Sequence, residues 1–168
     1  MARFPLFRSL AQDRSGVATV EFALWSVLIF GTLLLSTDFA VYTLYKQRLE
    51  RAVSEASLAA FATKDEIDPD KIATYVTATT GIPNAAPTVT VECNGGSSCV
   101  NTNRTYACLS GTNGNFTPAV SANAACSSGG LSGYYLTISA THVFQHVVMP
   151  NPFLEGRLMT ATATVRLE

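Results

Sequence analysis

The hydrophobic pattern along the chain passes through three regimes, and each predicts a different kind of element. From Val17 to Leu35, nineteen residues carry one ionisable side chain, Glu21. Leu24, Leu28, Ile29, Phe30, Leu33, Leu34 and Leu35 cover all faces of a helical cylinder rather than one stripe. That is the length and coverage of a transmembrane helix. Beyond it, Leu49, Ala52, Val53, Ala56, Ala59 and Ala60 recur at steps of three and four, while Lys46, Arg48, Glu50, Arg51 and Glu55 take the remaining face. The helix is therefore predicted to continue to about Ala62 as an amphipathic rod against a folded partner. Gly31 and the Ser36-Thr37-Asp38 run are the expected places for a bend.

Asp68-Pro69 reads as an N-cap followed by proline in the first turn, and Gly81 reads as a stop. These signals predict a short helix from Pro69 to Thr80 with Ile72, Tyr75 and Val76 facing inward. Past Pro83 the period falls to two. Val89, Val91 and Cys93 alternate with Thr88, Thr90 and Glu92; Leu136, Ile138, Ala140, His142 and Phe144 share a face; so do Met159, Ala161, Ala163, Val165 and Leu167. The last two strands are expected to pair antiparallel across Pro150-Asn151-Pro152, with Arg104 to Leu109 as a weaker fourth strand. The fold class is α+β: a long N-terminal transmembrane helix continuing into an amphipathic helix packed on a small antiparallel sheet.

Composition adds compartment and excludes some partners. At 168 residues there is room for one domain and an anchor. A net charge of −1 gives no basic field for a phosphate backbone, so nucleic acid is not an expected partner. Arg14 lies close to the apolar run, whereas Lys46 is eleven residues beyond Leu35, which favours an inside N-terminus and an exported C-terminal part.

Cys93, Cys99, Cys108 and Cys126 lie among Gly, Ser, Asn and Thr at spacings that suit no zinc site. Disulfides in an oxidising compartment are expected. Four cysteines allow three connectivities and the sequence does not choose among them. The working expectation is Cys93 with Cys99 and Cys108 with Cys126, since each closes a Gly-rich loop and would brace an irregular insertion over 93–133.

No nucleophile elbow, phosphate loop or H-E-x-x-H run is present, so no catalytic residue, cofactor, metal or small-molecule substrate is expected. His142 and His146 would share a face if their strand continued. Asp65, Glu66, Asp68 and Asp70 read as a solvated turn and helix cap.

Glu21 remains. A carboxylate in the hydrocarbon region costs about 2.5–3.5 kcal/mol on insertion scales, so a partner for it has to be named. The run Gly16-Val17-Ala18-Thr19-Val20-Glu21-Phe22-Ala23-Leu24 resembles the processing site of type IV prepilins, in particular the opening of the TadE-like and Flp-type pseudopilin family. Arg48 to Ala60, alanine-rich after a basic start, is similar to that family's helix beyond the membrane.

The resemblance implies a pilin-like fold, cleavage after Gly16 by a prepilin peptidase, a mature N-terminus at Val17, and Glu21 as its fifth residue followed by the aromatic Phe22. It also implies a role in tight-adherence pilus assembly and attachment, with sibling pseudopilins, the assembly platform and membrane lipid as partners, in a bacterial inner membrane. Cleavage would create an ammonium on Val17, one helical turn from Glu21. The pair could close within a chain, or between neighbours displaced axially by roughly 6 Å, one turn of helix.

The expected division is a leader over 1–16, a transmembrane helix over 17–38 and an extracytoplasmic α+β domain over 39–168. The competing reading is an uncleaved single-pass anchor carrying a periplasmic binding or sensing module. A membrane-tethered hydrolase would need a catalytic constellation that the sequence does not display.

Overall fold

The computed structural model describes residues 15–83, 85–111, 114–148, 150 and 153–168. Residues 1–14 of the expected leader, with Arg3, Arg8 and Arg14, and the loop residues Asn151 and Pro152 lie outside the described residues.

One helix, α1 (Ser15–Ala62), runs 48 residues, about 72 Å at 1.5 Å per residue. Its first half is exposed on all sides, in keeping with its all-round apolar pattern, and is long and apolar enough to cross a membrane. The helix is continuous through Gly31 and Ser36-Thr37-Asp38, the places where a bend is expected. Its hydroxyls there turn back onto the helix. Thr32 donates to the Leu28 carbonyl at 3.0 Å, and Ser36 and Thr37 donate to Leu33 at 2.8 and 2.9 Å. A hydroxyl satisfied in this way carries no unpaired donor into an apolar surrounding.

The second helix, α2 (Pro69–Thr80), is bounded as its capping residues dictate. The Asp68 carboxylate accepts from the Asp70 and Lys71 amides at 3.1 and 3.2 Å, and Gly81 ends the helix at φ 55°, in the left-handed region. Its buried stripe is narrower than predicted: Val76 and Thr80 are enclosed, Ile72 is half-buried and Tyr75 is exposed. Tyr75 lies with Ala59 and Ala60 along the groove between the two helices. Ala59, assigned to the inner stripe of α1 from its spacing, faces outward there.

Three strands, β1 (Thr88–Cys93), β4 (Tyr135–Val143) and β5 (Leu158–Arg166), form an antiparallel sheet in the order β1-β4-β5. The register pairs Val91 with Ile138 and Ile138 with Ala163, so the inner residues of all three strands fall in line. Leu136, Ile138, Ala140, Phe144 and Met159 form the core with Leu49, Ala52, Val53 and Ala56 of α1. Alanines at Ala52, Ala56 and Ala60 leave room for sheet side chains to approach the helix closely. The outer face is a hydroxyl surface. Thr137 meets Thr164 at 3.0 Å and Ser139 meets Thr162 at 3.1 Å.

The expected fourth strand does not join this sheet. Tyr106–Leu109 (β2) pairs with Phe116–Ala119 (β3), a strand the sequence did not announce, in a separate two-stranded sheet. Disulfides Cys93–Cys99 and Cys108–Cys126 close the insertion, with Cα separations of 5.1 and 5.7 Å. Side chains bind it to the body. Asn101 exchanges two hydrogen bonds with the Ile67 backbone, and Asn94 joins Thr105 to Tyr135. The Arg104 guanidinium lies 4.8 Å over the Tyr134 ring, pairs with Glu168 and donates to the Lys64 carbonyl. The insertion thus sits beside the C-terminal end of α1, far from the apolar half.

Candidate functional site

Two regions of α1 combine charge with an unusual setting. The first is the N-terminal turn. Val17 and Glu21 lie four residues apart and so share a helix face, with Val20 and Leu24 beside them. The Glu21 side chain is exposed and engages no hydrogen bond or ion pair among the described residues, and Phe22 projects outward at 74 % exposure. A Cβ added to Gly16 would meet nothing within 4 Å, so folding of this chain places no steric demand for glycine there. Gly16 is helical backbone at the start of the rod, with Val17 and Glu21 open to a partner.

The second region was missed by the sequence reading, which began the inward stripe of α1 at Leu49. Asp38 is fully buried, and one of its carboxyl oxygens accepts from the Val147 and Val148 amides, both at 3.1 Å. Tyr42 then meets Phe144 edge-on with ring centroids 5.3 Å apart, and Tyr45 reaches the same ring at 6.3 Å. Asp38, Tyr42, Tyr45, Leu49, Ala52 and Ala56 step by three and four, so one continuous face starts at Asp38. The signal was legible in that spacing. It was hidden because an aspartate three residues past an apolar run reads as a boundary rather than as part of a packed stripe.

His142 and His146 do not share a face. The strand stops at Val143; His142 is buried among Tyr45, Pro83, Ala85, Gln145 and Val147, whereas His146 is exposed and pairs through Nδ1 with Glu155. Among the described residues no group of three or more His, Cys, Asp or Glu is arranged to hold a metal ion. The hydrogen bond from His146 holds the Glu155 carboxyl below its ordinary value, and the backbone amide of Lys71 does the same for Asp68.

Burial pushes the His142 imidazole below its ordinary value, because the charged ring is poorly solvated there. A depressed histidine favours the neutral form in the folded state. The stability tied to it is complete above the unfolded value, about 6.5, and is lost as pH falls through the lower folded value. Thermal melts of the detergent-solubilised protein are expected to be flat above neutrality and to fall below about pH 6.5. His142→Met should remove that part of the fall, leaving the carboxylate window below about pH 4. An unchanged acid slope between those two values in the variant would show that His142 is not its source.

No curated protein and no solved structure matches the chain. A family model does match, over about a quarter of the length and across both regions just described. Residues 16–58, from Gly16 through Glu21 and Asp38 along the inward stripe of α1, match the model described as TadE-like protein, the family that the prepilin-like run resembles.

Proposed function

We propose that this protein is a minor pilin or pilus-assembly component of a tight-adherence secretion system, cut after Gly16 by a prepilin peptidase and acting through subunit packing. The observation that carries the reading is Glu21: an exposed carboxylate on an apolar helix, five residues after Gly16, within the stretch that matches the TadE-like model. Such a group in lipid needs a cation, and no described side chain of this chain supplies one to it.

Removal of the leader would supply the cation as the Val17 ammonium. Attack of water on the Gly16 carbonyl breaks the Gly16–Val17 amide and leaves a carboxylate on the leader and a protonated amine on Val17. That amine and Glu21 are one turn apart, close enough to neutralise one another while the subunit waits in the bilayer. During assembly the same carboxylate would meet the amine of a neighbour shifted by about one turn, and so define the axial stagger. Residues 17–38 then form a single-pass anchor in the inner membrane, with the leader cytoplasmic and residues 39–168 outside. Sibling pseudopilins and the assembly platform are the expected partners.

Mass spectrometry of the native membrane form tests this directly. A terminus at Val17 is the expected result, and Gly16→Leu should leave the leader attached, because the bulkier residue obstructs the peptidase rather than the fold. A wild-type protein that retains its first sixteen residues would instead make the chain a permanent anchor for an extracytoplasmic module.

A further inference from the structure

The outer face of the main sheet changes character at one end. Along β4 the outward residues run Thr137, Ser139, Thr141 and then Val143; along β5 they run Thr164, Thr162, Thr160 and then Leu158. Val143 and Leu158 are partners in register, both exposed. The connection beyond them adds exposed Val147, Val148 and Phe153, the last at 70 % exposure. Apolar side chains thus replace hydroxyls at one rung of the sheet and continue into the connection at Val147, Val148 and Phe153.

That end of the sheet is the one nearest the apolar half of α1. Phe144 packs on Tyr42, and the next turn of chain is fastened to Asp38 through the Val147 and Val148 amides. Asp38 is three residues past Leu35, about 4.5 Å along the helix axis. The polar layer on each side of a bilayer's hydrocarbon core is roughly 5–8 Å deep. A loop held at Asp38 therefore lies at the depth of that layer whenever the preceding segment spans. Phe39, on the same turn of helix, is also exposed. The charged groups of the hairpin are engaged locally, with His146 paired to Glu155 and Arg157 donating to the Phe153 carbonyl at 3.0 Å.

We infer that the β4–β5 hairpin is a second membrane-contacting element, whose Val147, Val148 and Phe153 side chains dip into the lipid headgroup layer beside α1. This rests on α1 crossing the bilayer. The occupant of the patch is the bilayer that the helix would cross, because the apolar side chains begin at the rung closest to the helix and the loop that carries them is held to α1 at Asp38. Two attachment points, a helix and a loop, restrain the tilt of the domain in a way that one helix cannot.

The chain has one tryptophan, Trp25, in the middle of the apolar segment, which gives the test an internal control. The full chain is reconstituted in phosphatidylcholine nanodiscs containing lipids brominated near the glycerol end of the acyl chain. Phe153→Trp and, separately, Val148→Trp are introduced in a Trp25→Phe background. Both reporters are expected to lose most of their emission, while Val120→Trp, at a fully exposed position of the far insertion, keeps it.

Retained emission at Phe153→Trp and Val148→Trp, with Trp25 quenched by lipids brominated at mid-chain in the otherwise unaltered protein, would overturn the inference and leave the spanning helix standing. An unquenched Trp25 would overturn both. Equal quenching at Val120→Trp would show nonspecific collapse onto lipid and would also overturn it.

Discussion

Asp38→Ala is expected to release the β4–β5 hairpin from α1 and to lower stability by about 3 kcal/mol, since the Val147 and Val148 amides lose a carboxyl acceptor worth roughly 1.5–3 kcal/mol per bond. Thermal denaturation of the detergent-solubilised chain gives the magnitude, and hydrogen exchange at Val147 and Val148 gives the location. Asp38→Asn keeps one oxygen acceptor and should lose less. The proposed cleavage after Gly16, at the other end of the apolar segment, should be unaffected. A melting temperature unmoved by Asp38→Ala, with slow exchange still present at both amides, would mean that the hairpin is held by the packing of Phe144 and Leu154 rather than by the carboxylate.

Glu21→Ala should produce the largest functional loss with the smallest structural one. Its side chain is exposed and bonded to nothing among the described residues, so folding of the domain and removal of the leader should both proceed. Assembly should not. The proposed neighbour's ammonium would then lie in lipid without a counter-charge, and leaving one partner of a desolvated ion pair alone costs about 3–5 kcal/mol, enough to deplete a subunit contact by roughly a hundredfold to several-thousandfold. Counting surface filaments by electron microscopy, alongside mass spectrometry of the subunit terminus, separates the two steps. Glu21→Gln preserves shape and hydrogen bonding while removing charge. If Glu21→Gln assembles normally, the carboxylate acts through hydrogen bonding; if Glu21→Ala also gives normal filament numbers, the residue does not register subunits.

Local signals carried most of the secondary structure. Asp68, Pro69 and Gly81 act through backbone groups within four residues, so α2 is bounded as its sequence reads. The alternation in β4 and β5 encodes a face, and the two strands lie close enough in sequence for their pairing to follow from it. What escaped was decided by distant partners. Asp38 is buried because a loop more than a hundred residues later turns its amides onto it, and no local pattern reports such a partner. The fourth strand read at Arg104 to Leu109 does form, as Tyr106–Leu109, but the bridge between Cys108 and Cys126 and the partner strand at Phe116–Ala119 draw it into a sheet of its own. His142 and His146 were joined by an extrapolated period that the strand abandons after Val143.

The inward stripe that begins at Asp38 ends at Ala60, and the disulfide-closed insertion is clasped to the chain just beyond it by Arg104 and Asn101. Helix, sheet and insertion are therefore coupled along some 33 Å of a single axis with no swivel between them. Any roll of the buried shaft about its own length turns the far cap through the same angle. In a bundle of such shafts, the azimuth each one adopts among its neighbours would dictate which side of every cap looks outward.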